Sequence, residues 1–513
     1  MTPEVSRSDP CEWIDSVARC APERLFLATP AGRRLSYADL QRMSDAWGLA
    51  LQRLRVGVGD RVAVQVDKSP EAVLLYVACL RIGAVYLPVN TANTANEVDY
   101  FLRDAAPRVA IVRPADAARL APIAAAAGVT HLETLGPEGD GSLAELARQC
   151  EGGAARPPRL PASALAAIIY TSGTTGRSKG AMLTRGNLAS NGSALAAAWQ
   201  FSAGDVLLHA LPLFHVHGLF AAISTVLASG ASLMLLGGFD AAQTLEHLPA
   251  ATVLMGVPTF YTRLLQMPGL DRRSTAHIRL FVSGSAPLPA EVLREFERRT
   301  GHVILERYGM TETLMNTSNP YDGARLPGFV GLPLRGVEVR LYDAGSGAPV
   351  EQHGAVGAIE IRGPNVCAGY WRDPARTQSE FRADGWFRSG DLGRFNRDGY
   401  LQIVGRARDL VITGGYNVYP KEVEGEIDAL PGVLESAVIG VSHPDFGEGV
   451  TAVVVARSGA TLNEEDIVKG LRPRLARYKI PKRVLVVADL PRNAMGKVQK
   501  NLLRERYASL YDT

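Results

Sequence analysis

Apolar residues recur three and four apart in LSYADLQRMSDAWGLALQRL, residues 35–54, the period of a helix that buries one face. DRVAVQV (60–66), AVYLPVN (84–90) and RVAIVR (108–113) are short β-branched runs of strand length. The two patterns alternate over most of the chain, which predicts an α/β fold with largely buried strands. The Ala-rich stretch 115–127 reads as a plain helix, and CEGGAARPPRLPAS (150–163) as a Gly/Pro-rich connector. From about residue 330 the texture changes to short strands divided by glycine turns, in GVEVRLYD, GAIEIRG and GYLQIVG. After GRARDLVITGG comes a compact pattern: helix PKEVEGEIDAL, strands ESAVIGV and TAVVVAR, helix EEDIVKGLRPRLA, and a last strand in KRVLVVADLP. About 100 residues suffice for a small independent domain. The boundary is set at Arg408–Asp409, giving a large domain over 1–407 and a small α+β domain over 408–513.

Composition narrows the function classes. The 513 residues are 47% apolar with a net charge of +3, so the overall balance does not point to nucleic acid or an anionic membrane. The five cysteines lie far apart, without zinc spacing, and read as reduced thiols of a cytoplasmic protein. The opening MTPEVSRSDPCEWIDSV lacks the apolar core of a secretory signal, and no uncharged apolar run approaches the ~20 residues of a membrane span.

The strongest local signal is IIYTSGTTGRSKGAML, residues 168–183. A buried strand is expected to end at Tyr170, followed by a loop of small and hydroxyl residues closed by Lys179. Glycines admit close backbone approach, and exposed N–H groups, hydroxyls and one lysine suit phosphate oxygens. The pattern is not a Walker A loop, because Ser178 precedes Lys179 and Gly180 follows it.

YTSGTTGRSKG resembles the phosphate loop of the adenylate-forming superfamily of acyl-CoA synthetases, peptide-synthetase adenylation domains and luciferases. LPLFHVHG, VSGSAPL, ERYGMTET, GWFRSGDLG, GRARDLVITGGYNVYP and PRNAMGK follow in that superfamily's order, so the resemblance spans nearly the whole chain. It implies a large multi-sheet domain with a small mobile one. It also implies two steps: a carboxylate attacks the α-phosphorus of Mg·ATP, and a thiol, commonly coenzyme A, then takes the acyl group from acyl-AMP.

The resemblance carries roles residue by residue. Thr171, Ser172, Gly173, Thr174, Thr175, Gly176 and Lys179 would cradle the phosphates, with Thr174 also catalytic. Gly284, Ser285, Ala286 and Pro287, with Glu306, Tyr308, Gly309, Met310 and Thr311, would form the rest of the ATP and AMP site. Asp391 would accept from both ribose hydroxyls, as a carboxylate's two oxygens allow, and Arg406 would add a ribose and phosphate contact. Glu312 is the implied catalytic ligand of Mg²⁺, which prefers hard oxygens. Lys497 would reach from the small domain to the carboxylate and α-phosphate during adenylation. Rotation about Arg408–Asp409 would then withdraw it and bring Gly414, Gly415 and Tyr416 to the coenzyme A tunnel. The setting of Lys497 also resembles that of lysines modified by bacterial acetyltransferases, which makes an acetyltransferase and deacetylase candidate partners.

Arg307 stands where many relatives carry a small or neutral residue. Turned into the acyl pocket, it would need an anion, which a short dicarboxylate supplies. ERYGMTETLMNTSNPYDG with FHVHGLF resembles malonyl-CoA synthetases, although Asn93 stands where an aromatic residue is expected. His215 and Ser285 are further candidate malonate contacts, and His217 adds polarity nearby. The competing arrangement turns Arg307 outward to pair with Glu306 or Glu312. The expected activity is malonate–CoA ligation, with methylmalonate as a further acid. The alternatives are a CoA ligase for another short or aromatic acid, or an adenylating enzyme that loads a carrier-protein thiol.

Overall fold

A computed structural model describes residues 9–155, 157–171, 178–343, 345–493 and 496–512. Among these residues the strands form four sheets. Parallel strands Val109–Val112, Arg61–Gln65, Val85–Pro88 and Leu165–Thr171 build one sheet, with His131–Thr134 at one edge and antiparallel Lys179–Thr184 at the other. A larger sheet is parallel from Leu305–Met310 through Leu280–Ser283, Val253–Gly256, Val206–His209 and Ser232–Leu235 to Leu25–Ala28. Antiparallel strands close its two edges. Glu338–Tyr342, Gly357–Arg362, Phe387–Phe395 and Leu401–Arg406 form an antiparallel sheet. The last sheet starts at Val411 and has its own apolar core, which includes Val423, Ile427, Val438, Val450 and Leu471.

Local chemistry starts and stops the helices where the pattern expects. Ser36 and Asp39 form a reciprocal capping box at the head of Tyr37–Arg53, as Thr94 and Glu97 do for Ala95–Ala105. Pro70–Ile82 starts after the capping Ser69 and is buried at every position, so it acts as a packing element of the core. Buried arginines tie the first helix down. Arg81 lies 2.7 Å from both Asp15 and Asp45, and Arg185 holds Asp9 and the Leu80 carbonyl.

Several expected boundaries move. The helix begun at Glu464 ends at Leu471: Arg472 keeps helical φ and ψ, but Pro473 has no N–H with which to continue the ladder. The Ala-rich stretch divides into a 3₁₀ turn, Pro114–Asp116, and a helix, Ala117–Ala126, that contains Pro122. The strand expected to end at Tyr170 runs to Thr171. Among the described residues no helix is long and apolar enough to cross a membrane. All five cysteines are free thiols.

The parallel register positions the site. His209 pairs with Met255, Gly256 with Ser283, and Ser283 with Glu306, so the strand ends line up. Residues just beyond them share one crevice, the usual ligand position in such sheets. Its floor is an aromatic cluster: Phe296 stands edge-on to Tyr261 at 5.4 Å and to Phe281 at 4.9 Å, all fully buried. Phe296→Ala should destabilise the large domain by about 3–5 kcal/mol, from lost burial and the cavity left behind. Urea unfolding followed by near-ultraviolet circular dichroism checks this, and an unchanged midpoint would contradict the packing.

Candidate active site

One end of the crevice is built around Lys179, which opens its strand opposite Thr171 in register. Ser172, Gly173, Thr174, Thr175 and Gly176, expected to cradle phosphate, lie outside the described residues. At the rim of that segment Thr171 Oγ1 is buried without a partner among the described residues. Tyr100 Oη donates to the Ser178 carbonyl at 2.7 Å and anchors the far side. Lys179 Nζ donates to Tyr370 Oη at 2.8 Å and lies 3.4 Å from Glu312 Oε1, which also accepts from Tyr370 at 3.1 Å. Glu312 is buried in the turn between antiparallel strands Leu305–Met310 and Leu314–Ser318, and its carbonyl accepts from Cys367 N–H. Tyr370 carried no mark in the sequence. Its place depends on the bridge between Ala181 and Tyr370, which joins segments far apart in the chain.

Asp391 and Arg406 face each other across antiparallel strands, with Arg406 Nε 3.2 Å from Asp391 Oδ1. Tyr308 Oη donates to Asp391 Oδ2 at 2.6 Å. Burial and that carboxylate hold the phenol far above its ordinary range. Gly309, Met310 and Thr311 are half-buried along the same edge, as are Ser285 and Ala286, while Pro287 is exposed. Glu306 turns toward the backbone, accepting from Leu288 N–H at 3.4 Å and Gly328 N–H at 3.3 Å. Burial raises its carboxyl to about 7.

Arg307 lies on the opposite face of the strand from Glu306, as strand alternation requires. It is only 3% exposed, and its Nε and Nη2 have no hydrogen-bond partner among the described residues. Burial pulls the guanidinium down to about 9, which leaves it a cation at neutral pH. It occupies space over Gly284, where a β-carbon would meet Arg307 Cζ at 2.3 Å. His217, wholly buried, pairs Nδ1 with Ser285 Oγ at 3.2 Å, and its Nε2 has no partner among the described residues. Ser285 is held at φ +69°, an uncommon setting for a non-glycine residue. His215 Nδ1 accepts from His217 N–H at 3.1 Å. Burial, then the charges of Arg307 and Lys497, lowers His215 to about 4, and burial with Arg307 holds His217 well below its usual range. The arrangement is one fixed cation beside neutral imidazoles and a hydroxyl, which suits a small anion.

The small domain meets this crevice through Lys497. Burial lowers its amine to about 8, and the charges of Arg406, Asp391, Arg408 and Asp409 act on it. Gly496 packs against Thr259 of the large domain, whose Oγ1 would lie 3.1 Å from an added β-carbon. Arg457 pairs with Glu291 across the domains at 2.5 Å. Arg504 grips Asp409, and Arg408 is exposed. Gly414, Gly415 and Tyr416 are not brought to the crevice. They lie exposed on the hairpin of Val411–Thr413 and Tyr416–Val418, where positive φ values of 56° and 82° demand glycine at the first two.

Residues 14–371 match the model of the AMP-binding enzyme family, and residues 422–497 match that of the AMP-binding enzyme C-terminal domain. The mitochondrial malonate–CoA ligase of Mus musculus is 37% identical, over 90% of this chain and 84% of that protein. The indoleacetate–CoA ligase of Aromatoleum aromaticum is 34% identical, over 97% and 98%. Among solved structures, ATP-bound MatB from Rhodopseudomonas palustris is 53% identical over 98% of this chain and 100% of that one, with a TM-score of 0.95. The apo structure of MatB, with the same identity and coverage, gives 0.84.

The unpartnered guanidinium has a consequence for stability. Replacing buried ionic groups by apolar ones of similar volume often stabilises by about 1–4 kcal/mol. Arg307→Met should therefore raise the unfolding midpoint of the ligand-free protein in calorimetry. A lowered midpoint would mean that the charge is compensated in the free protein.

Proposed function

The chain belongs to the AMP-binding enzyme family and is an AMP-forming acid–CoA ligase, and we propose that the acid it activates is malonate. The observation that carries this reading is Arg307, a buried guanidinium whose Nε and Nη2 have no partner among the described residues. Malonate is a dianion at neutral pH, and only one carboxylate is activated. The other enters a site shielded from water, where a fixed planar cation offsets its lost hydration. An aromatic or fatty acid would leave the guanidinium uncompensated. His217 Nε2 and Ser285 add neutral polar contacts beside it.

In this reading the free carboxylate oxygen attacks the α-phosphorus of ATP, forming malonyl-adenylate and expelling pyrophosphate. The thiol of coenzyme A then attacks the acyl carbonyl and expels AMP. Lys179, braced by Tyr370, and the loop it closes would hold the phosphates, and Asp391 with Arg406 would hold the ribose. Magnesium would be held by Glu312 together with substrate phosphates, where it would neutralise their charge. The residues fit: Glu312 is a buried carboxylate, a hard oxygen donor of the kind the ion prefers. Lys497 would stabilise charge at the carboxylate and α-phosphate. The closer superposition on ATP-bound than on apo MatB supports the view that this domain orientation serves adenylation. Rotation about Arg408–Asp409 would then withdraw Lys497 and turn the Gly414–Tyr416 hairpin toward the thiol's path.

Truncating one member of a buried charged pair costs about 2–5 kcal/mol. Arg307→Ala should accordingly lower kcat/KM for malonate by roughly 30-fold to several thousand-fold, from that range. Preference should shift toward butyrate, and Arg307→Lys should recover only part, because an ammonium lacks the fork. Steady-state assays of both acids with all three proteins test this. An unchanged malonate-to-butyrate ratio in the alanine variant would place Arg307 outside the acyl pocket.

The state of Lys497 sets a pH limit. Its working form is the ammonium, and the amine is lowered to about 8. The charge is therefore fully present below pH 7 and is lost as pH rises through 8. The kcat/KM profile, which reports the free enzyme, should show an alkaline limb near pH 8. A profile flat to pH 9.5 would contradict it.

A further inference from the structure

Lys497 ends a long, freely rotating stem, so its placement depends on how firmly its backbone is held. The loop that carries it is closed by a set of short bonds. Gln499 N–H donates to the Pro491 carbonyl at 2.8 Å, and Arg492 and Val498 form an antiparallel bridge. Inside that bridge Asn493 N–H donates to the Lys497 carbonyl at 3.0 Å, and Lys497 N–H returns a bond to Asn493 Oδ1 at 3.0 Å. Gly496, at φ +72°, makes the tight turn.

One side chain ties this loop to the sheet. Arg492 Nη1 donates to the Gly496 carbonyl at 2.6 Å, and its Nη2 is ion-paired with Glu435. Glu435 sits on the long Val433–His443 strand in register with Val455, so the carboxylate is offered by a rigid element. Both members of the pair are only 26% exposed, unlike an ordinary solvated surface pair. Beyond Lys497, Lys500 pairs with Glu424 at 2.5 Å and anchors the other flank. The tether matters at the domain boundary, because Gly496 is the residue that seats against Thr259 of the large domain. Its carbonyl position therefore sets the depth from which Lys497 starts.

We propose that Arg492, braced by Glu435 and bonded to the Gly496 carbonyl, is a positioning residue that aims Lys497 for the adenylation step. This rests on the reading of Lys497 as the adenylation lysine. An arginine suits the task because its planar fork reaches a carbonyl and a carboxylate together, whereas a lysine ammonium favours one of them. Among the described residues Arg492 is bonded to this loop at the Gly496 carbonyl, so its removal alters geometry and leaves the charge of Lys497 in place.

The test measures two half-reactions separately: single-turnover pyrophosphate release with ATP and the acid that the wild-type enzyme turns over best, and thioester formation from the supplied acyl-adenylate of that acid. The proteins are wild type, Arg492→Ala, Arg492→Lys, Glu435→Gln and Lys497→Ala. Misplacing a catalytic group by about 1 Å costs on the order of 100-fold. Arg492→Ala should slow adenylation by about 10- to 100-fold, with little change in KM for ATP and near-normal thioester formation. Arg492→Lys should recover part of the rate, and Glu435→Gln should show a smaller loss in the same step. Wild-type adenylation by Arg492→Ala, with Lys497→Ala impaired, would overturn the proposal. Equal loss of both half-reactions in Arg492→Ala and Arg492→Lys would also overturn it, by showing general support of the domain. Normal adenylation by Lys497→Ala would instead overturn the reading of Lys497, and with it any role in aiming that side chain.

Discussion

The parallel pairing of Val206–His209, Val253–Gly256, Leu280–Ser283 and Leu305–Met310 is the constraint on which the crevice depends. In a parallel sheet all backbone groups of the inner strands are committed to the ladder, so register is set before any side chain is placed. Once His209, Gly256, Ser283 and Glu306 stand level, the segments that follow them must leave the sheet at one edge. His215, Thr259, Ser285 and Arg307 come together there although they are far apart in the chain. The buried Tyr261, Phe281 and Phe296 beneath them resist sliding of one strand against the next.

The electrostatics of the crevice are divided by the same edge. Toward the phosphate loop, Lys179 is balanced by Glu312 and Glu380, and Arg406 is balanced by Asp391. At the other end no carboxylate pairs with Arg307 among the described residues. His215 and His217 respond by staying neutral, since burial and the nearby guanidinium both oppose a second charge. A cation so placed beside neutral acceptors and donors would distinguish ligands by charge first and by shape second. The folded protein carries that imbalance as a penalty in its free state, as binding sites commonly do.

Much of this was legible in the chain because the motifs are local. Asp391 and Arg406 sit in glycine-flanked stretches that pair as neighbouring strands, and Lys497 follows its own turn glycine. An α/β body and a separate small domain followed from strand and helix periods, whereas the division of the body into three sheets depends on pairing between strands far apart in the chain. What lay beyond reach depends on tertiary pairing. Tyr370 reaches Glu312 and Lys179 only through a bridge to Ala181. Glu306 could be named as a carboxylate of the right motif, but its turn toward Leu288 and Gly328 follows from which strand face it occupies. The same alternation decides that Glu306 cannot neutralise Arg307, a choice that residue order alone left open.

Gly284 extends the argument into the order in which such a site can change. A β-carbon there would meet the guanidinium of Arg307 at 2.3 Å, so any side chain at 284 obliges that guanidinium to shift. Substituting Gly284 would displace a buried charge from its place, whereas shortening Arg307 would open space over Gly284. A lineage that lost the cation would be free to fill position 284, and any side chain placed there would then hinder the cation's return.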